Sequence, residues 1–299
     1  MLITRALSRI GVAGVVVCWL ALPAAADGLS RFQDALKQAP EGALTYKSGK
    51  ALGDNGFVLE DVVFTPPPDA TQGAKAEPIP IKRVTVEDFD FASTDKNLSP
   101  NFVKMRAEGI AISDKPAEGI DLSQMAGIDK ITADFQLDYR LDPERKTLTL
   151  NRLELDLAAL ARLEMSMVLD GVSPDTGEKP GAALNDATLR TASLVFDDHS
   201  LLGKALPAAA KAQGSDADAM IGMAKTVLDG MRAGQGPATL AVFDTLTAYL
   251  QDYKKPKGPL RITLNPPGKV TTADLAAMAN PDDAIKALGL VVSYPGGKK

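Results

Sequence analysis

One run of eleven residues constrains this chain more than any other. From Ile131 to Leu141 every odd position is apolar and every even position is polar. A period of two is that of a strand with one dry face and one wet face, and it argues against a helix over the same residues. A polar turn follows, Asp142-Pro143-Glu144-Arg145-Lys146. Alternation then resumes from Leu148 to Leu157 and from Ala161 to Leu169. Three such runs joined by short turns predict an antiparallel meander.

A second regularity links these runs to others. The pattern apolar-x-apolar-x-x-apolar-x-apolar occurs at Phe57–Phe64, Val84–Phe91, Met105–Ile112 and Leu148–Leu155. It recurs more weakly at Ala187–Leu194, with a truncated copy at Met167–Val172. In each copy alternation runs, slips by one residue and resumes. An uncompensated slip would turn the second half of the strand inside out. A β-bulge absorbs the slip and keeps both halves facing one core. The polar pairs at the slip, Glu60-Asp61, Glu87-Asp88, Glu108-Gly109 and Asn151-Arg152, suit exposed bulges. Residues 27–196 are therefore expected to be mainly antiparallel β, in a curved and bulged sheet.

Before the sheet, Leu29 to Ala39 has helical spacing and ends at Pro40. Leu44 to Ser48 reads as a strand, with Gly53-Asp54-Asn55-Gly56 as a hairpin turn. Residues 65–80, with Pro66-Pro67-Pro68, Pro78 and Pro80, read as a Pro-rich loop inserted between two strands. After Phe196 the period becomes helical. Leu201 to Ala210 is one helix, with Pro207 expected to kink or restart it. Ser215 is expected to cap a second, carrying Met220, Ala224, Val227, Leu228 and Met231. Pro237 opens a third, with Leu240, Phe243, Leu246, Leu250 and Tyr253 on one face. A strand at Leu260–Leu264, a short helix from Thr271 or Thr272 to Ala279, a helix at Pro281–Leu288 and a strand at Leu290–Tyr294 complete residues 197–299, a mainly helical region of the same domain.

The first 26 residues have the layout of a cleaved signal peptide: Arg5 and Arg9, an apolar run from Gly11 to Leu22, then small residues up to Ala26. Cleavage would remove Cys18 and Trp19, the only cysteine and the only tryptophan, and leave 31 basic against 38 acidic residues, a net charge of −7. The expected location is periplasmic, with no disulfide. An acidic chain without a basic patch argues against nucleic acid as a partner. No stable membrane span is expected after cleavage.

The chemistry-bearing residues are sparse. His199 is the only histidine. It adjoins Asp197 and Asp198, but neighbours in sequence do not form a triad, and a local capping or surface role is expected. No catalytic residue, cofactor or metal ligand is assigned. The acidic pairs recur at one place in the strand pattern, which marks exposed bulge edges and not the facing carboxylates of a hydrolase. The methionines, among them Met105, Met165, Met167, Met220, Met223 and Met231, suit either ordinary core or an adaptable apolar surface that meets lipid or a partner.

The strands Leu59-Glu-Asp-Val62-Val-Phe64 and Val86-Glu-Asp-Phe89-Asp-Phe91 resemble those of AsmA-like envelope proteins. The run Leu137 to Leu150 resembles secreted bacterial proteins of unknown function. The resemblance is diffuse and spans roughly Leu44 to Phe196, and this chain is much shorter than the large AsmA-like proteins. It implies a Gram-negative periplasmic protein whose sheet holds acyl chains on its apolar face. The expected fold is α+β, a curved, bulged antiparallel sheet with a C-terminal group of helices packed on its apolar face. The expected function is non-enzymatic: binding of a lipid or other apolar ligand in a groove between sheet and helices, lined by Phe135, Leu137, Tyr139, Phe243 and Leu246. The alternative is an adaptor that binds another envelope protein.

Overall fold

A computed structural model describes residues 27–66, 77–96, 98–112, 131–173, 187–271, 274, 278 and 280–295. The expected signal peptide, most of the Pro-rich loop and most of the helix before Ala279 lie outside the described residues. The fold is α+β: an open antiparallel sheet of eleven strands with helices at its two ends.

Helix α1 (Gly28–Leu36) leads into β1 (Leu44–Thr45), β2 (Ser48–Leu52), β3 (Gly56–Phe64) and β4 (Ile79–Phe89). A single helical turn, α2 (Phe91–Thr94), precedes β5 (Phe102–Ile112), β6 (Ile131–Asp142), β7 (Thr147–Leu157), β8 (Ala161–Asp170) and β9 (Thr188–Asp198). Three helices follow, α3 (Leu201–Ala212), α4 (Ala217–Gly230) and α5 (Pro237–Gln251), then β10 (Leu260–Leu264), α6 (Pro281–Leu288) and β11 (Val291–Ser293). From β3 onward each strand pairs with the next in sequence, while β1 and β2 share the outer edge of β3.

The bulges fall where alternation slips. Register shifts at Glu87 between β4 and β5, at Glu108-Gly109 between β5 and β6, and at Asn151-Arg152 between β7 and both neighbours. The copy in β9 shifts register at Arg190. Gly109 has φ +65°, and its N–H donates to Asp134 at 2.8 Å, which fixes that bulge. The copy in β3 differs. Glu60 and Val62 keep an unbroken register with Arg83 and Ile81, and Asp61 absorbs the irregularity with φ +51°. The copy in β4 also ends early. Phe91 is not strand but opens α2, because Asp90 turns the chain and caps that helix by accepting from Ser93 N–H at 3.1 Å.

Helix boundaries follow capping chemistry. Asp216, not Ser215, caps α4, accepting from Ala219 N–H at 2.8 Å. Pro207 lies inside α3 without ending it. The N-terminus of α5 has no local side-chain cap. Its Ala238 and Thr239 N–H groups donate instead to Asp282 of α6, at 2.9 and 3.0 Å. Gly236 is required there, because a Cβ would collide with the Asp282 carboxylate. Asp282 also pairs with Lys286 at 2.8 Å, and that contact and the Thr239 N–H bond hold its carboxyl below the usual range.

Candidate functional site

The register aligns one apolar face across the sheet. One row runs Phe57, Val86, Met105, Leu137, Leu153, Met165, Leu194, Ile262 and Val292, each paired with the next. A second runs Leu59, Val84, Ala107, Phe135, Leu155, Leu163, Phe196 and Leu260. A third, across the bulges, runs Phe89, Val103, Tyr139, Leu150, Met167, Ala192 and Leu264. The bulges keep these rows continuous, since each absorbs the residue that would otherwise flip a half-strand.

Helices cover this face at its ends. At the first end Phe32 of α1 stacks on Phe57, ring centroids 4.4 Å apart, and packs with Leu59, Val62, Val86 and Phe91. Leu59 and Val62 are only 1% exposed. At the far end Tyr249 and Leu246 of α5 pack with Phe196, Leu260, Val292 and Tyr294. Between these ends the row Met105, Leu137, Leu153, Met165 and Leu194 is half-buried, as are Leu155, Leu163 and Met167. Among the described residues the helices make their main sheet contacts with β2 and β3 at one end and β11 at the other. Between the two helical ends, β5 to β8 form an apolar floor, half-buried along the row from Met105 to Met165 and buried at Val103, Ala107, Phe135 and Leu150. The flanking strands β4 and β9 are five inter-strand steps of about 4.8 Å apart, roughly 24 Å.

The opposite face is charged and cross-linked. Arg83 pairs with Glu60, Lys104 with Glu87, Arg140 with Asp88, and Arg190 with Asp170. Glu154 and Glu164 stand directly opposite each other, and Arg162 answers both at 2.7 and 3.3 Å. Such exposed pairs add little stability each. They make this face a wetted one, so the two sides of the sheet have opposite chemistry. A depression of about 290 Å³ near the β2 edge is lined by Ser48, Gly49, Lys50, Leu52, Val58, Glu60 and Arg83, and is partly filled by the Arg83–Glu60 pair.

The structure places the five candidate lining residues in two groups. Phe135, Leu137 and Tyr139 lie side by side on the floor. Phe135 is 6% exposed and the other two are half-buried. The Tyr139 hydroxyl donates to the Pro100 carbonyl at 2.9 Å. Burial, and then the charge of Asp90, push its pKa up to about 12, so it stays neutral. Leu246 belongs to the α5 cover at the β9–β11 end, and half-buried Phe243 is on the same helix. Strand β6 is three strands from β9, so the structure does not bring these two against Phe135. The floor residues that complete the row, Met105, Leu153, Met165 and Leu194, were visible as strand positions. Their convergence depends on register, which only pairing supplies.

Polar groups at the margins are structural. Asp90 accepts from Ser93 N–H and from both Asn101 N–H and Nδ2. Burial works to raise its pKa, but these hydrogen bonds together outweigh it and hold the carboxyl below the usual range. Asp198, 3% exposed, accepts from Leu201 and Leu202 N–H and so caps α3, and burial pushes its carboxyl up. The buried Tyr249 hydroxyl has no partner at hydrogen-bonding geometry; burial and then the charge of Asp198 keep it protonated. His199 is half-exposed and lies 3.5 Å from Asp197. Among the described residues no group of three or more His, Cys, Asp or Glu could hold a metal ion, and no helix is long and apolar enough to cross a membrane.

These features define a two-faced antiparallel sheet protein with helical ends. A family model described as an uncharacterized protein matches residues 154–295, just under half of the chain, from within β7 to beyond β11. No curated protein matches the chain.

Proposed function

We propose that this is a non-enzymatic periplasmic protein of the cell envelope that carries an acyl chain on the floor formed by β5 to β8. One observation supports the reading: the row Met105, Leu137, Leu153, Met165 and Leu194 is half-buried, while Phe57 and Val86 at the first end of the same row are buried. A folded protein gains by burying such a surface, and an acyl chain supplies the cover. In a bilayer core of about 30 Å, each leaflet's chain extends about 15 Å, which fits between β4 and β9, roughly 24 Å apart. Half-buried Met105, Met165 and Met167 suit a flexible occupant, since Met adapts its shape. On this reading the chain is a short relative of AsmA-like proteins.

The test is native mass spectrometry of protein purified gently from a periplasmic extract, with lipid extraction of the same sample. Stoichiometric lipid supports acyl-chain carriage. A clean apo mass argues against it and favours the adaptor, for which a pull-down of envelope proteins is the next step.

A further inference from the structure

We infer that α4 is a membrane-docking helix that lays its exposed side on a lipid bilayer. Its inner side is fixed. Ala217 and Ile221 are buried with Tyr253 against Leu202, Leu206 and Leu250. Tyr253 donates to Asp218 at 2.9 Å and Lys254 to the same carboxylate at 2.7 Å, which pins the first turn. The orientation of the remaining face follows from that anchoring.

That face is apolar, half-buried at Met220 and exposed from Met223 onward. Met220, Met223, Val227 and Met231 follow at i, i+3, i+7 and i+11, which is one line along a helix. Met223, Val227 and Met231 are 58%, 61% and 52% exposed. The other large exposed apolar side chains among the described residues, Leu52, Leu98 and Val291, are scattered singly. A Cβ built on Gly222 or Gly230 of the same helix would meet nothing within 4 Å. Lys225 and Asp229, each two residues from Val227, fall about 200° away and so on the far side.

The size of the strip selects its occupant. The eight rises from Met223 to Met231, about 1.5 Å each, give an exposed strip about 12 Å long and about one helix wide, on the order of 100 Å². A stable protein interface buries about 800 Å² per partner, so this strip alone is too small for a second copy or another protein. An interfacial helix needs only one apolar face sunk shallowly among lipid headgroups. The strip carries no basic side chain, so its attachment is apolar and insensitive to salt. This surface lies on different residues from the acyl-chain floor and stands independently of it.

Flotation of the purified protein without residues 1–26, whose apolar run would itself partition, tests the inference with phosphatidylcholine vesicles. The parent chain floats at both low and high salt. The variant Met223→Gln/Val227→Gln/Met231→Gln, whose changes are all at exposed positions, loses at least about tenfold in vesicle partition, since burial of apolar side chains of this size exceeds that factor. Relative to the parent, Val227→Trp adds a fluorescence component that shifts to the blue on adding vesicles. Failure of the parent to float, an unchanged triple variant, or binding that requires anionic lipid and vanishes in salt overturns the inference. Met165→Lys on the floor leaves flotation unchanged, and the triple variant keeps any co-purified lipid, so failure here and failure of the acyl-chain reading are separable.

Discussion

Truncating one leucine at the covered end and one on the open floor separates a filled face from an open one. Leu59 is 1% exposed and packed under α1. Leu59→Ala removes its buried branch and leaves a cavity that Phe32, Phe57 and Val62 cannot collapse into without breaking the stacked pair. The expected cost is about 3 kcal/mol, within the range of roughly 2–5 for such changes. Leu153 occupies the central row between Leu137 and Met165 and is half-buried. Leu153→Ala loses only part of the transfer energy and leaves no closed cavity, because the site opens to solvent. About 40 Å² of lost apolar burial at about 25 cal/mol per Å² gives about 1 kcal/mol. Urea unfolding of delipidated protein, with unchanged slopes, measures both. A gap near 2 kcal/mol supports an open floor. Equal costs near 3 kcal/mol would refute the reasoning, because they require Leu153 to be enclosed by protein.

Further outcomes follow from single contacts. Gly109→Ala places a side chain at φ +65° in the β5 bulge and should cost about 1–2 kcal/mol by the left-handed backbone penalty, read by thermal unfolding. Gly289→Ala, at φ +54° with a Cβ that would collide with the Asn265 carbonyl, should destabilise the α6–β11 junction by more, seen first as faster hydrogen exchange in β11. Asp90→Ala leaves the Ser93 and Asn101 donors without their acceptor and should cost about 1–3 kcal/mol. Since the folded-state pKa of Asp90 is depressed, its contribution is present above the ordinary carboxylate pKa and is lost as pH falls through the folded value. Asp198 has the opposite sign. Its folded pKa is raised, so the folded state binds the extra proton and stability falls as pH rises through the interval up to that value. Asp198→Asn keeps a capping oxygen and should flatten that part of the stability–pH profile.

The sheet was readable in the sequence because its signal is local. Alternation names the strands, and a slip in alternation names the bulges at Glu87, Gly109, Asn151 and Arg190. The same signal failed at Asp61, where a positive φ kept the register, and at Phe91, where a buried aspartate turned the chain one residue earlier. The helix caps were half legible. Asp216 stands next to the expected Ser215, but Asp282 reaches the N-terminus of α5 from more than forty residues away and leaves no local trace. The floor followed the same rule. Phe135, Leu137 and Tyr139 are recognisable as one face of one strand. That Leu246 packs over β9 to β11 and not over β6 depends on the two strands, β7 and β8, between β6 and β9, which periodicity does not encode.

Access to Leu153 tests the central claim most directly. The native chain carries one cysteine, Cys18. In the protein without its expected signal peptide, and so without Cys18, Leu153→Cys reports on the floor and Asn151→Cys, at an exposed bulge position, reports on the wetted side. Maleimide labelling of delipidated protein should modify both cysteines, and adding a fatty acid should protect Cys at 153 while leaving Cys at 151 unchanged. Slow labelling at 153 without lipid, or no protection when lipid is added, would contradict an open apolar floor that takes an acyl chain.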